Sequence, residues 1–257
     1  MSTNRYDQMR AEALHFWPPG FPIELKYDPA ALVDVSCNKR LADDSLDHLE
    51  PRGTASDNTH WAPFVARCEA YFGFRDLRYL DLGCAGGGLV FDFAIRRHLA
   101  IGLEGSDYSL RRQRAEWASI PGNLFTCDMT RPFRIIERAT GAPLLFDVIG
   151  VWDALEHLGT ERLPTFFDNV RTHLAPGGLL CGTVSTRAAR SSASGGNHHA
   201  TVQPRSWWEP TFAEHGLTPA PAAVFRFEEF PRGNGIVFPA DFSVRPDDGF
   251  HFTLMKQ

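Results

Sequence analysis

"YLDLGCAGGGLVFDFA" (79–94) is the stretch on which the reading of this chain turns. It opens on an apolar run ending at Leu82 and closes on one starting at Leu89. Between them stand Gly83, Ala85, Gly86, Gly87 and Gly88. A packed core gains nothing from glycine, which adds no apolar surface and weakens a strand or helix interior by roughly 0.5–1 kcal/mol. A tight turn that lets a ligand lie against the backbone needs it. The stretch therefore reads as strand, bare turn, helix.

The same alternation continues outward. "LAIGLEGS" (99–106) reads as a strand, "YSLRRQRAEWASI" (108–120) as a helix, and "NLFTCDM" (123–129) as a strand. "FDVIGVWDAL" (146–155) is a strand running into a helix, "LPTFFDNVRTHLAPGG" (163–178) a helix stopped by Pro-Gly-Gly, and "LLCGTVS" (179–185) a strand. Strands that are near-continuous apolar runs, alternating with helices over short connections, predict an α/β fold with a mostly parallel, Rossmann-like sheet and helices on both faces. "HWAPFVARCEAYFG" (60–73) has helical spacing and ends at a glycine, and a Trp-rich helix is expected at "RSWWEPTFAEHGL" (205–217). Residues 1–60, with "FWPPGFPIELKYDP" and a polar, acidic stretch, read as irregular. They are expected to form an arm or lid over a domain spanning 61–257.

Length and composition bound the function. The chain has 257 residues, 43% of them apolar, enough for one large domain. Its formal net charge of −5 speaks against a nucleic-acid binder. The five cysteines form no CxxC pair and read as reduced thiols in a cytoplasmic protein. No run approaches the roughly 18 apolar residues of a membrane span.

In an open parallel sheet, ligands sit beyond the carboxyl ends of the strands. Four groups of residues fall there. The first is Asp81-Leu-Gly83-Cys84-Ala85-Gly86-Gly87. The second is Glu104 with Gly105 and Ser106; Glu104 follows Gly83 by 21 residues, the spacing at which a carboxylate meets the hydroxyls of a ribose. The third is Asp128 with Met129, placed for the amine and ring of an adenine, though an aspartate there also suits a turn cap. The fourth is Val151, Trp152 and Asp153, with Glu156 and His157 one turn later.

Together these residues resemble the class I S-adenosylmethionine-dependent methyltransferases over about 75–185, with Ala85 where that superfamily usually has glycine. "FDVIGVWDALEHL" (146–158) is similar to its fourth motif and "LAPGGLL" (174–180) to the turn before its fifth strand. The resemblance implies seven strands, with "FHFTLMK" (250–256) as an antiparallel last one. It implies S-adenosyl-L-methionine as cofactor and S-adenosyl-L-homocysteine as product. It says little about the acceptor, read here as a small molecule, sugar nucleotide or glycan methylated at oxygen, in the style of polysaccharide or secondary-metabolite tailoring enzymes.

Catalytic candidates are His157, His198, His199 and Asp153, because an imidazole's pKa near 6.5 suits a proton acceptor. The spacing Asp153-x-x-Glu156-His157 is similar to the E-x-x-E-H metal motif of ubiquinone-type and small-RNA 2′-hydroxyl methyltransferases. A divalent metal held by Asp153, Glu156 and His157, with His198 or His199 closing the site, is therefore an alternative, suited to a catechol, a vicinal diol or an RNA 2′-hydroxyl. At most one of Trp207 and Trp208 is expected to face the acceptor. Trp17, Phe21 and Tyr27 are candidates for a cover, and Asn58, Thr59 and His60 for the methionine end. Arg187, Arg190 and Arg205 are candidates for an anionic acceptor, and "RRQR" (111–114) reads as a solvated face. No "NPPY" motif for base methylation and no Tyr-x-x-x-Lys for a nicotinamide enzyme is present. A non-catalytic nucleotide- or partner-binding module is the reading from another class.

Overall fold

The computed structural model describes residues 25–191, 194–221, 225, 242 and 245–257. Its strands are β1 (Val33–Cys37), β2 (Arg78–Leu82), β3 (Leu99–Glu104), β4 (Leu124–Thr126), β5 (Phe133–Glu137), β6 (Phe146–Val151), β7 (Leu174–Ser185), β8 (Leu217–Pro219) and β9 (Gly249–Lys256). Seven of them form one sheet in the order β4-β3-β2-β6-β7-β9-β8. β3, β2, β6 and β7 pair in parallel, as does β4 with β3, while β9 runs against both β7 and β8. The antiparallel last strand expected at 250–256 is β9.

Side chains alternate across a strand, so a sheet buried on both faces sorts its residues into two cores. Leu80, Leu82, Ile101, Leu103, Ile149, Val151, Leu180 and Val184 pack on one face with Phe166, Phe167, Trp208 and Phe212. Tyr79, Ala100, Val148, Leu179 and Cys181 pack on the other with Phe64, Val65, Phe91 and Phe93. The helices that supply these partners are α4 (Ala62–Tyr71), α5 (Gly88–Ile95), α8 (Leu163–His173) and α9 (Arg205–Glu214), the last two on the first face; these four follow the short α1 (Pro29–Leu32), α2 (Leu46–Leu49) and α3 (Gly53–Ser56) in the order of the chain, with α6 (Tyr108–Arg112) and α7 (Glu116–Ser119) between α5 and α8.

Two local expectations are corrected. The segment before residue 60 is not wholly irregular. β1 pairs antiparallel with β5, a strand the sequence did not announce, and Val33, Phe133 and Ile135 reach the first core from this ribbon. The helix expected over 108–120 is broken into α6 and α7, with Gln113 and Ala115 at φ 48° and 55° between them. The break turns Arg114 inward, where its guanidinium donates to the carbonyls of Thr54 and Asp57 at 2.5 Å each. "RRQR" is thus not solvated throughout.

Segment 53–61 is strapped across the glycine turn. His60 Nδ1 lies 2.7 Å from Asp92 of α5, and the Trp61 N–H donates to the same carboxylate. The fit is close: a Cβ on Gly88 would stand 2.6 Å from the Thr59 carbonyl oxygen and 2.9 Å from that of Asn58. Both are backbone atoms, which cannot step aside. Gly88→Ala is therefore expected to destabilise the fold by about 1–3 kcal/mol, the usual cost of overpacking. Urea unfolding measures it, and an unchanged midpoint would contradict this docking.

Candidate functional site

The carboxyl ends of β2, β3, β4 and β6 open onto a cavity of about 820 Å³. Gly83 leaves β2 at φ 80°, a conformation glycine adopts without penalty. Its N–H and that of Cys84 both donate to the Leu103 carbonyl, which ties the turn to β3. Ala85 follows at φ 46°, in the left-handed region that costs an alanine roughly 1–2 kcal/mol. Two hydrogen bonds hold it there: its N–H donates to Glu104 Oε2 at 2.8 Å, and Trp117 Nε1 donates to its carbonyl at 2.9 Å.

Glu104 is buried, and its other oxygen accepts the Ser106 N–H at 2.9 Å. Burial raises its pKa, against the pull of the Ser106 and Ala85 N–H groups. Each carboxylate oxygen keeps a further lone pair. Asp128, also buried, spends Oδ1 on the N–H and hydroxyl of Thr130, at 2.9 and 2.6 Å. Among the described residues its Oδ2 accepts no hydrogen bond, with Arg131 Nε 3.9 Å away. The turn-cap reading and the ligand reading of Asp128 thus each keep one oxygen.

Gly83, Ala85, Glu104, Gly105, Ser106, Asp128, Met129 and Trp152 all line the cavity. Asp81 and Cys84 line instead a small adjoining void of about 20 Å³, together with Asp57 and Thr59. The remaining members of the expected set lie elsewhere. Val151 is buried in the first core. Gly86 and Gly87 face protein: a Cβ on Gly86 would meet the Asn58 side chain at 2.3 Å, and one on Gly87 would meet Leu124 at 2.8 Å. Their bareness serves packing, which sequence spacing does not separate from ligand contact.

At the far end of the cavity stand Asp153, Glu156, His157, His198 and His199. The turn holding Glu156 and His157 is a 3₁₀ turn, Leu155–His157, rather than the start of a helix. Asp153, at φ 48°, donates its N–H to Thr183 Oγ1 at 2.8 Å. Glu156 is fully buried; Oε1 accepts the Ser185 N–H at 3.0 Å and Oε2 accepts no hydrogen bond among the described residues. Burial, reinforced by the Asp153 carboxylate, pushes its pKa up to about 7.

Asp47, which the sequence reading did not single out, stands 2.5 Å from His157 Nδ1 and 3.3 Å from His198 Nδ1. Burial alone would lower the pKa of His157; the Asp47 carboxylate outweighs it and lifts the pKa to about 9. His199 is the opposite case. Burial and the neighbouring His157 cation bring it down to about 4, and its Nδ1–H donates to the Arg187 carbonyl. One nitrogen from each of His157 and His199 and one oxygen of Glu156 lie within 4.8 Å of one another, a set that leaves out Asp153.

Several outlying expectations change. Trp208 is buried in the first core and Trp207 packs against it, so neither lines the cavity. Tyr27 donates its hydroxyl to Asp76 at 2.8 Å and is no part of the cavity wall. Trp17 and Phe21 lie outside the described residues. Of the three arginines, Arg205 pairs with Glu209 away from the cavity and Arg187 with Asp248; Arg187 and Arg190 stay on the rim. Thr59 lines the cavity, while Asn58 and His60 pack behind the glycine turn. No described helix is long and apolar enough to cross a membrane.

A family profile described as a methyltransferase domain matches residues 54–220. The fold is similar to that of 1,6-didemethyltoxoflavin-N1-methyltransferase from Burkholderia thailandensis, solved with 1,6-didemethyltoxoflavin and S-adenosylhomocysteine. The identity is 17% and the TM-score 0.53, over 82% of this chain and 84% of that one. It is also similar to a TehB-like SAM-dependent methyltransferase from Corynebacterium glutamicum, at 14% identity and a TM-score of 0.50, over 80% of this chain and 92% of that one. No curated protein sequence matches the chain.

The charge on His157 carries a stability signature. Its folded pKa of about 9 lies above the ordinary histidine value of 6.5, so its contribution is full below about pH 6.5 and is lost as pH rises through about 9. In EDTA, the wild type should exceed His157→Gln by about 1–2 kcal/mol near pH 6, and the gap should close above pH 9. Urea unfolding across that range measures it; a gap that widens with pH would contradict the assignment.

Proposed function

The chain belongs to the methyltransferase-domain family, in its class I S-adenosylmethionine-dependent branch, and from that premise we propose that it methylates a hydroxyl of a small, carbohydrate-like or secondary-metabolite acceptor. The observation that carries the reading is that one cavity joins the glycine turn, Glu104 and Asp128 to the Glu156–His157–His199 cluster.

The residues fit S-adenosyl-L-methionine. Glu104 has lone pairs left for the two ribose hydroxyls, and Asp128 Oδ2 is a buried acceptor lacking the donor an adenine amine would supply. Gly83 and Ala85 keep bulk off the turn, and Met129 and Trp152 supply apolar walls. When bound, the cofactor supplies a methyl group already activated by its sulfonium and leaves as S-adenosyl-L-homocysteine. The protein's task is to hold an acceptor oxygen in line and exclude water, worth roughly 7–11 kcal/mol in orientation.

Among the histidines, His199 best suits the proton acceptor. Its Nδ1 proton is committed to the Arg187 carbonyl, so the neutral ring carries its lone pair on Nε2. His157, held as an imidazolium by Asp47, has no lone pair to offer. A weak base suffices, because a hydroxyl grows strongly acidic as its oxygen takes on the methyl group. The proton passes from that oxygen to His199 Nε2. The pairing of Arg187 with Asp248 and of Arg205 with Glu209 favours an uncharged acceptor over a sugar nucleotide. Residues 25–60 serve as an arm, supported by Ser45, Asp47 and Asp57 in the cavity wall; the first 24 residues of the expected arm lie outside the described residues. A cytoplasmic location agrees with five free cysteines.

A second reading keeps the hydroxyl acceptor and adds a divalent cation on Glu156, His157 and His199, favoured by their closeness, by the Asp47 carboxylate lying against Nδ1 of His157 and by the bond of His199 Nδ1 to the Arg187 carbonyl. Such an ion would lower the pKa of a bound hydroxyl.

Glu104→Gln is expected to weaken S-adenosylhomocysteine binding about ten- to a hundredfold, the worth of one or two hydrogen bonds to a charged group. Calorimetry measures this, and unchanged affinity would remove the ribose assignment. His199→Asn should lower kcat about 10²–10⁴-fold toward a hydroxyl acceptor, such as methyl glucoside or catechol, while leaving S-adenosylhomocysteine affinity intact. Full turnover in that variant rules His199 out as base. Loss of wild-type turnover in EDTA, restored by a divalent cation, would instead select the second reading.

A further inference from the structure

α2 brings Asp47 to the acceptor end of the cavity from 110 residues upstream of His157, outside every motif that marks the fold. Ser45 caps this turn, its hydroxyl oxygen accepting the Asp47 N–H at 3.3 Å. The two carboxylate oxygens of Asp47 then serve two different segments. Oδ2 stands 2.5 Å from Nδ1 of His157, in the turn after β6. Oδ1 stands 3.3 Å from Nδ1 of His198, in the loop after β7. His157 in turn meets His199 edge-on, ring centroids 4.7 Å apart.

The neighbours of Asp47 tether the same three segments. Arg162 donates to Asp44 at 2.6 Å, and the Ser191 hydroxyl donates to Glu50 at 2.5 Å. The Arg162–Asp44 pair is exposed on the Asp44 side and is worth about 0–1 kcal/mol, and the Ser191–Glu50 contact is a part-buried hydroxyl–carboxylate bond that touches no ring. Asp47 differs in kind. It is half-buried, and it meets both rings: it pairs with the His157 imidazolium at Nδ1 at an angle outside hydrogen-bond geometry, it accepts the His198 Nδ1–H, and a histidine held at Nδ1 by a carboxylate presents Nε2 on its other edge.

We propose that Asp47 is a positioning residue of the methyl-transfer site, holding His157 and His198 in place from the N-terminal segment, so that the acceptor end is complete only while α2 is docked. The inference rests on the methyl-transfer reading above, and it stands whether His157 meets the acceptor directly or through a cation. The residue completing the site then comes from the part of the chain that precedes the family match at residue 54.

The test compares the wild type, Asp47→Asn and Asp44→Asn at pH 7.5 in EDTA. Long-range ¹H–¹⁵N spectra of the imidazoles are the primary readout, since they need no acceptor. The wild type should show protected Nδ1 protons on His157 and His198. Asp47→Asn should lose both, with S-adenosylhomocysteine affinity within twofold of wild type. Asp44→Asn, which loosens the same segment, should keep both. Where methyl glucoside or catechol is turned over, Asp47→Asn should lower kcat at least tenfold with the KM for S-adenosylmethionine unchanged. The proposal is overturned if the wild type lacks the His157 signal, which needs no variant to fold. It is also overturned if Asp47→Asn keeps the signals or full kcat, or if Asp44→Asn loses the signals as well. A wild type that fails to bind S-adenosylhomocysteine would instead bring down the methyl-transfer reading itself.

Discussion

The site depends on one buried carboxylate. Glu104 sits at the end of β3 with its oxygens shared between the Ala85 and Ser106 N–H groups, so it joins the glycine turn of β2 to the exit of β3 before any ligand arrives. A buried charge needs hydrogen bonds to be tolerable, and two backbone donors supply them. In return Ala85 is held at φ 46°, where an alanine would not otherwise rest. The turn is therefore shaped by the acid one strand over, and the shape of the cavity floor follows from it.

The second layer of constraint comes from the N-terminal side. Arg114 donates to the carbonyls of Thr54 and Asp57, His60 meets Asp92, and the Gly86 N–H donates to the Asp57 carbonyl. These contacts press segment 53–61 onto the back of the glycine turn, and they explain the run of bare residues better than a ligand does. Of Gly83, Gly86, Gly87 and Gly88, only Gly83 borders the cavity; the others make room for Asn58, Leu124 and the backbone of Thr59.

The legible part of the fold was the part set by local pattern. Strands such as Leu99–Glu104 and Phe146–Val151 are apolar but for one acid each, and the cluster of glycines after Leu82 marks a bare turn whether it is a ligand or a packed segment that lies against it. The ribbon of β1 and β5 was not legible, because "VDVSC" and "FRIIE" are runs of only five residues and pair across about a hundred positions of chain. The break in 108–120 was hidden for a related reason: helical spacing is intact, and what ends the helix is a distant pair of carbonyls that captures Arg114. Asp47 was illegible for the same cause. One aspartate in an acidic stretch carries no signal until folding sets it beside two histidines. Trp207 and Trp208 show the converse, since their composition suggested a pocket wall and their environment is core.

Charge decides how the acceptor end divides its work. Asp47 lies against His157 and lifts its pKa, and the resulting cation helps push that of His199 down. Two chemically identical rings 4.7 Å apart thereby take opposite states at neutral pH, one a fixed donor and the other a free acceptor. Neither state belongs to histidine as such: the Asp47 carboxylate sets the first, and burial with the neighbouring His157 cation sets the second. Glu156, pushed toward neutrality by burial and by Asp153, adds a third group whose proton is easily gained or lost. The hydroxyl acceptor proposed above must give up one proton, to a group that does not hold it too tightly. On that reading the Asp47–His157 pair sets the charge of the cluster and His199 is the ring left to take the proton, an arrangement that exists only where the N-terminal segment meets the ends of β6 and β7.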